Sequence, residues 1–399
     1  MTKYGNCDEC RNCHSVYTEV LFEYPNTFFW YGPDIEYFKE NINPKLFNAK
    51  IIFCNKCGFM GLPLEGLLAR LLKIYYSSPF SVSGATPDNE SAYSLSLVSS
   101  FFKIFSDLYT GLIPEKVLEI GCQRGYLLRE FLNKGAKKVI GIEPGDINPC
   151  VDNNGKRIDV RQGFFSYEIV GEENFDFVYA SHVFEHVEDT NDFLQNIHRL
   201  LKPGGKLLLL VPNELFSLKD GNIGMFLFQH LNYFTPALLT RILKTNGFDV
   251  NGVISSRAES LCVMAEKRKF NDFSNAEVCV IEETKNLLIG YKEKVLGKLN
   301  LIQEISEGSK KKPLGFYGVA GAANIFSWLP ELSKRECICY DSDSITWGKR
   351  YGGIPSTIKS PNLLCESDDI IVIPYRLQEE IYRLLKQENG TSPKIHKLY

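Results

Sequence analysis

The sequence predicts an α/β protein centred on a doubly wound, mostly parallel sheet, and three observations predict it. From about Lys116, short apolar runs rich in β-formers alternate with segments of helical apolar spacing. The first run ends in a glycine-containing turn that opens a helix, and the second ends on a carboxylate. A cysteine cluster precedes this region and a smaller strand–helix alternation follows it. Three domains are therefore expected: a small zinc-binding segment over residues 1–66, the central sheet over 67–268, and a smaller Rossmann-like α/β lobe with its linking helix over 269–399.

In the first segment, Cys10 and Cys13 form one CxxC knuckle and Cys54 and Cys57 a second, with Cys7 offering an alternative partner one step upstream. Each knuckle turns two sulfurs toward one point, so a tetrahedral thiolate site for zinc is expected, with Cys7 left as a spare thiol. Four thiolates leave zinc no open position, which makes its role structural. An iron–sulfur cluster or free thiols are the alternatives.

The central strands are expected at residues 117–120, 139–143, 175–181 and 206–211, with helices at 126–132 and 193–201. Between the first strand and helix runs Glu119-Ile120-Gly121-Cys122-Gln123-Arg124-Gly125-Tyr126. Gly121 permits a tight turn and Gly125 a close approach of ligand to backbone. Glu143 closes the next strand, 24 positions after Glu119, where a ribose diol can be held by paired hydrogen bonds.

Composition narrows the chemistry. The 399 residues carry 45 Lys plus Arg against 48 Asp plus Glu, a net charge of -3 that supplies no field for a nucleic acid polymer. No apolar run approaches the roughly 18 residues that span a bilayer, so no membrane partner is expected. The polar first residues lack a secretory core, which suggests a cytoplasmic protein. Small-molecule chemistry is the remaining class.

The Glu119–Gly125 run, Glu143, the Phe-Asp-Phe-Val-Tyr-Ala-Ser-His-Val-Phe-Glu-His-Val stretch over residues 175–187, and Leu200-Leu201-Lys202-Pro203-Gly204-Gly205 occur in that order. Together they resemble the class I S-adenosylmethionine-dependent methyltransferases. The resemblance implies a seven-stranded sheet, with the cofactor held by Glu119, Gly121, Gly125, Tyr126, Glu143, Gly163, Phe164, Ser181, His182 and Val183. It also makes His182 and His186 cofactor-loop or structural residues rather than a base pair or metal site.

After the fifth strand, an apolar loop over residues 220–228 with Met225 and Phe226 is expected to be exposed and to act as a water-excluding lid. His230 and Tyr233 follow, just ahead of a helix that Pro236 starts and whose apolar face is Leu238, Leu239, Ile242 and Leu243. His230 is thus a candidate base, with seating of that helix as the plainer reading of the same residues. Farther on, Ile281, Leu288, Val295 and Ile302 recur every seven residues on a long helix, and strands at 314–317, 337–340 and 369–373 build the last lobe.

Taken over most of its length, the chain is similar to three-domain zinc-containing C-methyltransferases that act on nucleotide-linked keto-sugars in deoxysugar biosynthesis. The matching segments are Cys10-Arg11-Asn12-Cys13, Tyr75-Tyr76-Ser77-Ser78, His230-Leu231-Asn232-Tyr233-Phe234-Thr235, and residues 317–324, 341–355 and 374–381. This likeness implies His230 as general base, Tyr75, Tyr76 and Tyr233 positioning the sugar or its enolate, and the nucleotide against the last lobe. Enolate formation followed by attack on a sulfonium methyl requires no metal in that scheme. Two departures stand out: Gln229 replaces the usual glutamate before the histidine, and His14 stands where glycine follows the first knuckle. An amide at 229 can orient the imidazole but adds no charge. Methylation of oxygen or nitrogen on a small metabolite is the alternative activity, and a cofactor-binding scaffold without turnover a third reading.

Overall fold

The computed structural model describes residues 9–28, 46–63, 66–76, 87, 89–145, 148–226, 229–256, 260–268, 278–309, 311–351, 353–375, 377–389 and 393–399. Cys7, Ser77, Ser78 and Arg376 lie outside them. The chain divides into two compact units: Met1–Glu19, Phe53–Leu215 and Gln229–Thr284 form the first, and Val20–Ile52, Phe216–Phe228 and Lys285–Tyr399 the second. Strands β1 (Thr18–Phe28), β2 (Leu46–Cys54) and β3 (Met60–Gly61) form a three-stranded sheet in that order.

The first unit is built on β4 (Lys116–Ile120), β5 (Lys138–Glu143), β6 (Val160–Gln162), β7 (Phe175–Ser181), β8 (Leu201–Val211), β9 (Phe248–Ile254) and β10 (Leu261–Lys267). Their order is β6-β5-β4-β7-β8-β10-β9, parallel except that β10 runs antiparallel to both of its neighbours. The central strands read as continuous apolar runs because both faces are covered, whereas edge strand β9 alternates buried and accessible positions. Phe101 and Phe105 of helix Ala92–Leu108 pack with Phe131, Phe177 and Tyr179 into an aromatic core on one face. β8 starts five residues before the expected 206, and the register shift opposite Phe175 and Phe177 absorbs its Pro203-Gly204-Gly205 segment. The strand order reverses beside β4, so the carboxyl ends of β4, β5 and β7 open on a crevice where ligands of such sheets bind.

The second unit carries β11 (Leu314–Tyr317), β12 (Cys337–Tyr340), β13 (Ile358–Lys359), β14 (Asp369–Val372) and β15 (Lys394–Lys397), all parallel in the order β13-β12-β11-β14-β15. The sequence pattern reveals three of these. β13 is two residues long, and β15 reads Lys-Ile-His-Lys, too short and too polar to register as apolar runs. Helix Val278–Gly308 buries Leu288, Val295 and Ile302 of the seven-residue repeat and half-buries Ile281. Among the described residues, no helix is long and apolar enough to cross a membrane.

The expected lid is corrected by this unit. Ile223, Met225 and Phe226 are buried, Phe226 packs edge-on against Tyr291, and the Tyr291 hydroxyl donates to the Asn222 carbonyl at 2.8 Å. Ile223, Met225 and Phe226 therefore serve packing within the second unit. Its sequence showed apolar side chains in a loop but not what would cover them.

Candidate functional site

A cavity of about 1110 Å³ opens at the carboxyl ends of β4, β5 and β7 in the first unit. Gly121 forms its floor with φ of 75°, a left-handed conformation, and a Cβ there would fall 2.3 Å from Val183 Cγ2. Only glycine lets the turn pass under Val183. Glu143 stands beside it, 5% exposed, its Oε2 accepting the Gln123 N–H at 2.9 Å and its Oε1 the Gly145 N–H at 3.1 Å. Burial pushes its pKa up, and the two backbone donors oppose that shift. One N–H on each oxygen leaves acceptor capacity on both for a vicinal diol, so the residue fits the ribose of an adenosyl group.

Gly163, Phe164, Ser181, His182 and Val183 also line the cavity. Gly163 has φ of 143°, and a Cβ would meet Ile169 Cδ1 at 2.6 Å. His182 is also left-handed, with φ of 55°, held by its Nε2 contact to Ser260 Oγ at 3.0 Å. Three of the expected cofactor residues do not reach the cavity. Glu119 is 1% exposed beneath the turn, where burial pushes its pKa well above the carboxylate range and keeps it neutral. Gly125 caps helix Tyr126–Asn133, tight against Ile158, and Tyr126 packs into the aromatic core with Arg129 over its ring. Their place in the motif reflects the turn they build, not a surface they offer.

The same cavity is also lined by Tyr75, Tyr76, His186, Gln229 and His230. The His186 and His230 rings lie 5.0 Å apart, and Tyr76 Oη is 2.7 Å from His186 Nδ1. His230 is neutral: burial, then the neighbouring His186, push its pKa to about 3 against the opposing pull of Glu185. Tyr233 is 1% exposed, its ring 6.5 Å from that of His230, and it lies behind the wall rather than in it. The same segment seats the next helix, since the Thr235 side chain accepts the Leu238 N–H and Pro236 follows at the first helical turn. Both readings of these residues are thus realised in one segment.

Residues 97–252, the part of the chain that builds this cavity, match the profile of a family described as a methyltransferase domain. The chain contains an S-adenosylmethionine-dependent methyltransferase domain. It is 36% identical over 168 residues to the mitochondrial ubiquinone biosynthesis O-methyltransferase of Homo sapiens, covering 36% of this chain and 44% of that protein. It is 36% identical over 116 residues to the ubiquinone biosynthesis O-methyltransferase of Pseudomonas aeruginosa, covering 27% and 49%. The chain thus spans about half the length of these relatives. Among solved structures, the Burkholderia thailandensis 1,6-didemethyltoxoflavin-N1-methyltransferase bound to S-adenosylhomocysteine is 20% identical over 44% of this chain and 89% of that one, with a TM-score of 0.31.

The cysteine knuckles sit in the same unit as the methyltransferase domain. Cys10 and Cys57 Sγ are 3.6 Å apart, Cys13 and Cys54 Sγ 3.7 Å, and all four sulfurs lie within 4.8 Å of one another. A tetrahedral zinc with Zn–S near 2.3 Å puts sulfurs about 3.8 Å apart, so the cluster is compatible with zinc. The two knuckles share a backbone: His14 N–H donates to the Cys10 carbonyl and Gly58 N–H to the Cys54 carbonyl, both at 2.8 Å, with φ of 55° and 72°. His14 therefore occupies a left-handed corner of the kind that glycine takes without strain at Gly58.

Two residues escaped the sequence reading. Arg11, inside the first knuckle, donates to the carbonyls of Leu62, Val187, Glu188 and Leu231, tying the cysteine cluster to segments adjoining His186 and His230. Gly61 makes room for this contact, since a Cβ would sit 2.9 Å from the guanidinium and 2.4 Å from the Leu231 oxygen. Glu185 is 1% exposed between His182 and His186; burial raises its pKa, and the neighbouring His186 and then His182 outweigh that and bring it down to about 2. Its position in a Glu-His pair was visible, but its convergence with His230 was not.

Proposed function

We propose that the protein transfers a methyl group from S-adenosylmethionine to a small molecule bearing a carbonyl or hydroxyl oxygen, and that its acceptor is a nucleotide-linked keto-deoxysugar methylated at the carbon beside the ketone. The observation that carries the reading is that one cavity is lined both by Glu143 and Gly121, which suit an adenosyl group, and by the polar set His230, Tyr76 and Gln229, which suits an acceptor. The bound donor supplies a methyl carbon on a cationic sulfur; transfer forms one bond from that carbon to the acceptor, breaks the sulfur–methyl bond and leaves its electron pair on sulfur.

Within that scheme Glu143 grips the ribose hydroxyls, and Gly121 and Val183 fix how deep the donor sits. Tyr76 and the backbone of Gln229 orient His186. His230 presents a neutral imidazole, the form required to accept the proton that leaves the acceptor carbon. An imidazole so reluctant to protonate is a weak base near neutrality, so the acceptor's own acidity must be raised for the step to be fast. The four cysteines hold a structural zinc that keeps Arg11 in place.

Methylation of a hydroxyl is the second reading, favoured by the ubiquinone biosynthesis O-methyltransferases among the relatives. A panel of dTDP-, GDP- and CDP-linked keto-sugars, assayed for S-adenosylhomocysteine with product mass spectrometry, tests the first. Incubation with the keto-sugar in heavy water should wash deuterium into the carbon beside the ketone. Product formed without that exchange, carrying its methyl on oxygen, would establish the second reading instead.

A further inference from the structure

Behind the stretch of cavity wall formed by Tyr76, His186 and His230, a buried carboxylate and two imidazoles bring their potential ligand atoms together. Glu185 stands in the single 3₁₀ turn Phe184–His186 after β7, and neither of its carboxylate oxygens has a hydrogen-bond partner among the described residues. His182 Nδ1 approaches Oε1 to 3.3 Å and His186 Nε2 to 3.8 Å. The tautomer of His186 is fixed by its other side. Its Nδ1 lies 2.6 Å from the Gln229 carbonyl, which can only accept, so Nδ1 carries the proton. In the neutral ring, Nε2 then presents a bare lone pair toward the Glu185 carboxylate. His230 brings a third ligand atom, and one atom from each of Glu185, His186 and His230 lies within 4.8 Å of the other two.

A carboxylate with no hydrogen-bond partner among the described residues, nearly out of reach of water and with two imidazoles this close, is an arrangement that a bound cation completes. The surroundings are those of a metal ligand set. An N–H given to a backbone carbonyl orients a ligating imidazole, and two imidazoles with one carboxylate suit first-row divalent ions while leaving coordination positions open. We propose that Glu185, His186 and His230 bind one divalent transition-metal ion whose open positions face the cavity and take an oxygen atom of the acceptor. Only that last clause rests on the methyltransferase reading. The ion places a positive charge at the acceptor oxygen, which makes a neighbouring C–H or its own O–H more acidic. In this metal-bound form His230 serves as a ligand, and the proton that the acceptor loses passes to solvent; the role of His230 as proton acceptor belongs to the metal-free form.

Manganese(II) separates this site from the cysteine cluster, because carboxylate and imidazole suit it and a set of four thiolates does not. The full chain, carrying its zinc, is titrated with Mn²⁺ near pH 8, with free ion followed by electron paramagnetic resonance and S-adenosylhomocysteine affinity measured in parallel by calorimetry. One Mn²⁺ per chain is expected. Glu185→Gln should weaken it at least about tenfold with S-adenosylhomocysteine affinity retained as evidence of an intact fold. His186→Asn gives the same readout should the first variant fail to fold. Wild-type protein that binds S-adenosylhomocysteine but no Mn²⁺, or a folded Glu185→Gln that binds Mn²⁺ as tightly as wild type, overturns the site. Mn²⁺ binding without S-adenosylhomocysteine binding leaves the site standing and overturns the methyltransferase reading instead.

Discussion

The two units use the same local device for different ends. In the first, β4 runs into Gly121 and a helix, and Glu143 at the end of β5 accepts the Gln123 N–H. In the second, β11 runs into Gly318 and a helix, and Asp341 just after β12 accepts the Val319 N–H at 3.1 Å. Both glycines have positive φ, 75° and 103°. What lies above the turns differs. Beyond Gly121 and Val183 is the cavity of about 1110 Å³, whereas Gly318 packs under Pro374, whose Cγ would be 2.6 Å from a Cβ there. Ile373 covers Gly321 in the same way, at 2.2 Å. A glycine turn with an acid at the next strand end is thus a way of joining strand to helix. A cavity opens above it only where the following chain leaves the space free.

The comparison can be broken or sharpened by substitution at matched positions. The largest effect is expected from His230→Ala, in the open cavity: turnover should fall by roughly 10²–10⁴-fold with S-adenosylmethionine affinity unchanged. Single-turnover kinetics beside calorimetry would measure both, and undiminished turnover would remove His230 from the reaction. Next comes Glu143→Ala, which removes charge-assisted hydrogen bonds worth about 2–3 kcal/mol and should weaken S-adenosylhomocysteine by roughly 30- to 150-fold. Equal affinity in that variant would sink the assignment of this residue to the donor.

Gly121→Ala and Gly318→Ala each force a side chain into a left-handed residue with no room for Cβ, so each should cost about 1–3 kcal/mol of stability, read from denaturant melts. Only the first should also weaken S-adenosylhomocysteine. Smallest is Asp341→Ala, the counterpart of the glutamate change. It loses the acceptor for the Val319 N–H, about 1 kcal/mol, and should leave S-adenosylhomocysteine affinity where it was. A weakened affinity there would mean that the second unit takes part in donor binding.

Much of this was written locally. The strands at 314–317 and 337–340 fall at the expected residues because short apolar runs bounded by turn residues leave few alternatives. The strand over 175–181 does so for the same reason. The places of Gly121 in a left-handed turn and of Glu143 at a strand tip were legible because backbone conformation and strand length set them. The residues read less well were those whose surroundings come from distant segments. Met225 and Phe226 looked like a lid until Tyr291 covered them, and Tyr126 looked like a cofactor residue until it packed inward.

The sequence by itself determined the alternation of strands and helices, the paired cysteine knuckles, and the glycine and carboxylate at the first two strand ends. Each of these depends on periodicity or spacing within a few residues. Only the tertiary structure decided which glycine turn stays open, which of the histidines meet, and that a buried glutamate lies between them. Contacts of that kind join segments far apart in the chain, and local side-chain pattern does not encode the distance between them.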